Sequence, residues 1–171
     1  MKREQNAVVW LALLLCLSGA VTPWAQGRGP ATAEERQKVV RLAHNLEANP
    51  LGLMAPDSRK WLMIWIQEVP DVSVKVCGDL LEPLLKEQKD YSSELFTQMV
   101  FSSAAFIVDN PDKAKDDAAV FQAGLEGRLK TYESIRKYQS AVRHSLLDDL
   151  LKKQQSGELH DYVRKNTKGC K

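Results

Sequence analysis

Ala118, Phe121, Leu125, Leu129, Tyr132 and Ile135 follow one another in steps of three and four, and no other feature limits the fold so strongly. At that spacing the apolar side chains share one face of an α-helix, whereas a strand would scatter them over both of its faces. A helix with so long a stripe must cover it with other elements.

The same period recurs along the chain. Val39, Val40, Ala43 and Leu46 mark a helix that opens on the capping box Thr32–Glu35 and ends near Ala48, ahead of Asn49-Pro50. A second helix starts at Asp57 or Ser58. Its centre, Trp61 to Ile66, is six apolar residues with no polar face, which predicts a core position with neighbours on every side. The competing use is an interaction surface, because Trp61 and Trp65 lie one turn apart behind Arg59 and Lys60, a pairing suited to a partner or a lipid headgroup.

Val72, Val74 and Val76 alternate with Ser73, Lys75 and Cys77 as strand residues do. No other segment offers a ladder partner, and Val69, Val72, Val76 and Leu80 also fit a helical face, so helix is the expectation. Asp79 then either starts a fresh helix boxed by Glu82 or belongs to one kinked at Pro83. A further helix is expected from Ser92 or Ser93 to Val108, where the small run Ser102 to Ala105 suits a close crossing. Asn110 as cap and Pro111 as first helical residue predict an immediate restart. Gly124 and Gly127 cost the next helix roughly 1 kcal/mol each, which close packing would explain. Val142, Leu146, Leu147, Leu150 and Leu151 mark another helix with Asp148 facing Lys152 on its wet side, and Leu159, Tyr162 and Val163 a short last one. The fold class is therefore all-α: an irregular bundle or stacked antiparallel hairpins of about six helices, in a single domain over residues 32–171.

Upstream, Lys2 and Arg3 precede the uncharged apolar run Ala7 to Leu17, with small residues at Ser18, Gly19 and Ala20. This three-part build is that of a secretory signal peptide. Ala7 to Ala20 is 14 residues, short of the roughly 20 that span a bilayer. Cleavage after Ala25 is favoured over Ala20, so residues 1–25 read as the signal and 26–31 as a flexible leader. The expected location is secreted or periplasmic, with no integral membrane span after cleavage. Cys77 and Cys170 remain in the mature chain, and an oxidising compartment favours a disulfide between them.

For function the residues give fewer signs. The net charge of +2 leaves no basic footprint for nucleic acid. There is no Gly-rich phosphate cradle, no G-x-S-x-G, no H-E-x-x-H and no C-x-x-C, and Ser134 to Lys137 matches S-x-x-K without its companion motifs. His144 and Asp148, four apart, suit one metal ion if His160 joins them. A helix running from Val142, however, turns His144 toward solvent. No catalytic residue, metal or cofactor is expected. The expectation is an exported, non-catalytic binding or interaction module for a protein or small ligand. The alternative is a small secreted or periplasmic hydrolase or metal-dependent enzyme built on His144, Asp148 and His160.

Overall fold

Thr32 opens the first helix as its side chain accepts a hydrogen bond from the Glu35 N–H while the Glu35 carboxylate accepts one from the Thr32 N–H. Residues 28–86 and 90–170 are described by the computed structural model, so the predicted signal (1–25) and the first two leader residues, 26 and 27, lie outside the described residues. Within them are seven helices and no strand: α1 (Ala33–Ala48), α2 (Ala55–Glu68), α3 (Gly78–Lys86), α4 (Ser92–Asp109), α5 (Asp117–Tyr138), α6 (Ser145–Gln155) and α7 (Leu159–Asn166). The fold is an all-helical irregular bundle. None of these helices is long and apolar enough to cross a membrane.

Helices α4 and α5 are the spine, and two apolar cores form at their ends. One gathers Val39 and Leu46 of α1, Leu62 and Trp65 of α2, and Phe101 and Ala104 of α4. The other gathers Leu80 and Leu84 of α3, Leu125 and Leu129 of α5, Leu147 and Leu150 of α6, and Val163 of α7. The spine helices meet through their smallest residues. A Cβ placed on Gly124 would lie 2.3 Å from Ser103 Oγ, and one on Gly127 would lie 1.9 Å from Ser102 Oγ. Absent side chains on α5 thus admit the hydroxyls of α4, as the small residues on both helices predict.

Several expectations change. α2 begins at Ala55, with Pro56 in its first turn, and not at Asp57 or Ser58. Val72 to Cys77 is not helical and contains neither turn nor bend, with Ser73 and Lys75 lining one flank and Val74 and Val76 the other as in an extended chain, and α3 starts only at Gly78. Pro70 and the β-branched Val72, Val74 and Val76 disfavour a helix here. Val72 sits in the first core and Cys77 in the second, so the segment passes from one core to the other. Next, α5 does not restart at Pro111. Turns closed by Lys113 N–H to Asn110 O and Asp116 N–H to Lys113 O delay it until Asp116, whose carboxylate accepts from the Ala119 N–H. Finally, α6 begins at Ser145 with His144 as its N-cap, three residues later than the leucine stripe implied.

Candidate functional site

The late start of α5 and the extended run of 72–77 have one joint consequence: they leave a cleft between them. Its volume is about 490 Å³, within the range of small-ligand sites. Ile107 of α4, Ala114 of the connecting turn, and Val120 and Phe121 of α5 give it apolar walls. Asp71, Ser73 and Lys75 line one side, and Lys115 and Asp117 the other.

Two of the polar residues on the 71–75 side, Asp71 and Lys75, are held in place. Asp71 accepts from the Ala31 N–H at 2.9 Å and pairs with Arg36. The Ala31 N–H bond, foremost, and the Arg36 guanidinium hold the Asp71 carboxyl below its ordinary range. Lys75 Nζ reaches across to Asp117 Oδ2 at 2.7 Å. Lys115 is exposed and forms no ion pair among the described residues. On the other flank of the segment is a crevice of only about 10 Å³ beside Cys77, Met99 and Phe121, room for about one water.

The cysteines take their predicted positions relative to each other. Cys77 and Cys170 lie at disulfide geometry with Cα atoms 5.5 Å apart, tethering the chain after α7 to the end of the extended segment.

The candidate metal residues are placed apart. His144 is buried, not turned to solvent, because the helix that would have turned it outward has not yet begun. Its Nε2 lies 2.8 Å from the Asp90 carbonyl, which identifies Nε2 as the protonated nitrogen. That bond steadies the turn into α4, where Tyr91 has a left-handed φ of 64°, a conformation costing an L-residue roughly 1–2 kcal/mol. Asp148 faces α5 and not Lys152: Tyr132 Oη donates to it at 3.0 Å and Arg136 Nη1 at 2.9 Å. Tyr132 Oη also accepts from the His144 N–H at 3.0 Å, so one phenol closes the start of α6. Burial, above all, raises the Tyr132 pKa. His160 meets Gln122 at 2.7 Å instead. Among the described residues no three His, Cys, Asp or Glu side chains gather around a common point. Ser134 is buried while Lys137 is exposed, which separates the two ends of the S-x-x-K match.

Compared with protein-family models, curated proteins and solved structures, the chain matches none. The geometry must therefore carry the functional reading alone.

The Trp pair splits. Trp65 is buried in the first core; Trp61 stacks on it at 6.2 Å between ring centroids and is half-buried under Lys38, whose Nζ lies 4.0 Å from its ring centre. Ile64, between them, is 44% exposed, so the run Trp61 to Ile66 is not covered on every side as expected, and Leu53 and Met54 in the α1–α2 turn are exposed as well.

Sequence reasoning passed over two groups. The cleft residues Asp71, Ser73, Lys75 and Lys115 were hidden because their segments read as helix or helix start. Glu47 was the other. It is buried, takes the Ser102 hydroxyl at 2.7 Å and approaches Lys130 at 3.4 Å, tying α1 to both spine helices. Its place four residues after Ala43, on the apolar face of α1, was the available signal.

Proposed function

We propose that this chain is an exported, non-catalytic binding module whose ligand enters the cleft between residues 71–75 and the start of α5. The observation that carries the reading is the cleft itself: about 490 Å³ with apolar walls and a rim bearing both charge signs. Such a composition suits selective, reversible binding, with burial supplying affinity and the polar rim fixing orientation. The signal-like amino end and the Cys77–Cys170 pair support a secreted or periplasmic location.

Two measurements test this. A thermal-shift screen of chemically diverse small molecules and short peptides is run on the wild type and on an Ala114→Trp variant, whose added indole fills the cleft. Ligands that raise the midpoint of the wild type and not of the variant support the reading. If every stabilising ligand acts equally on both, the cleft is not the site. Export is tested by fusing residues 1–31 to a reporter enzyme active only outside the cytoplasm, and an inactive fusion in exporting cells rejects it.

A further inference from the structure

Resting on the cleft as the binding site, we infer that its ligand is an extended peptide that adds as a β-strand to Ser73–Val76. The peptide places one apolar side chain in the cleft and an acidic side chain against Lys115.

The argument begins with the main chain. Among the described residues, no hydrogen bond reaches the backbone of Ser73, Val74, Lys75 or Val76. Ser73 and Lys75 are exposed, Val74 is half-buried, and Val76 is 59% exposed. An extended segment offers N–H and C=O groups on alternate edges, a pattern that another extended main chain matches group for group.

The segment is also held ready. Asp71 is fixed by Ala31 and Arg36, Val72 is buried in one core, Lys75 is drawn to Asp117, and Cys77 is tethered to Cys170. Anchors at both ends and at the middle keep it extended without a ladder. A peptide joining it therefore orders only itself, and preorganisation of this kind strengthens binding.

Side chains narrow the ligand further. Successive residues of a strand point to opposite faces, so positions two apart share a face. One such position reaches the apolar walls at Ile107, Ala114 and Val120. The next on that face meets the rim, where Lys115 is the cation outside any ion pair among the described residues.

The test is an array of Thr-Xaa-Thr-Xaa-Thr pentapeptides, blocked at both ends, with every residue type at each variable position. We expect the strongest binders to pair a leucine-like residue with Glu or Asp, and to move the amide resonances of Ser73 to Val76. The best binder is then N-methylated at residues 1, 3 and 5, or at 2 and 4, each set removing the donors of one edge. One version loses binding about tenfold or more and the other does not. In the protein, one of Ser73→Pro and Val74→Pro weakens binding comparably, since their N–H groups point to opposite edges, with helix content checked by circular dichroism. Equal binding by both N-methylated versions overturns strand addition and leaves the cleft reading intact. The same holds if small molecules bind the cleft and no peptide does. No ligand of any kind at the cleft removes both. A concentration-dependent dimer abolished by Val74→Pro assigns the edge to a second copy and overturns the peptide.

Discussion

Gly127 of α5 lies against Ser102 of α4 so closely that a Cβ on the glycine would come within 2.3 Å of the serine Cβ as well as its hydroxyl. Rotating the hydroxyl away cannot relieve that clash, because the second contact is fixed to the backbone. Gly127→Ala is therefore expected to force the spine helices apart and to cost ~1–3 kcal/mol in urea unfolding. Gly78→Ala is the control. A Cβ there meets nothing within 4 Å, and the variant should match or slightly exceed wild-type stability. Equal behaviour of the two variants would mean that the close crossing is not what stabilises the spine.

Tyr132→Phe removes the acceptor for the buried His144 N–H and one donor to Asp148. An orphaned buried donor costs ~1–3 kcal/mol, to be read from a guanidinium titration. In the wild type the phenol should ionise above its ordinary value of 10.0 by ultraviolet titration, burial being the main cause. Because the folded pKa is raised, this group's contribution is complete below the unfolded value and is lost as pH climbs through the folded one.

Asp71 gives the opposite pH signature. Its folded pKa is lowered by the Ala31 N–H and by Arg36, so its contribution is full above the ordinary carboxylate value of 3.8 and is lost as pH falls through the depressed one. The Ala31 amide resonance should follow that transition with a midpoint below 3.8. A midpoint at or above it would show that the anchor of the extended segment does not form.

Replacing both Cys77 and Cys170 by Ser opens a link spanning a sequence separation of 93. Loop entropy sets the loss at up to ~4–5 kcal/mol. The local effect should appear as faster amide exchange in α7 and in the first turn of α3, where the Leu81 N–H bonds to the Cys77 carbonyl, with α1 and α2 little changed. Uniform loosening of all helices would argue against a local tether.

Much of this fold could be read along the chain. The stripe from Phe121 to Ile135, the box at Thr32 and Glu35, and the paired small residues at Ser102–Ala105 and Gly124–Gly127 each depend on neighbours within a turn or two, or on a spacing that packing must respect. The candidate site could not be read in that way. His144 was misplaced because its orientation depended on which residue began α6, and Tyr132, twelve positions earlier, settles that by accepting the His144 N–H.

Local periodicity and capping chemistry thus determined that the chain is helical and roughly where most helices lie. Tertiary structure alone decided that Val72 to Cys77 passes extended from one core to the other, and that the turn after α4 stays unwound until Asp116. Those two departures make the cleft. A surface between two segments forty residues apart depends on how distant parts of the chain pack, which no short window of sequence contains.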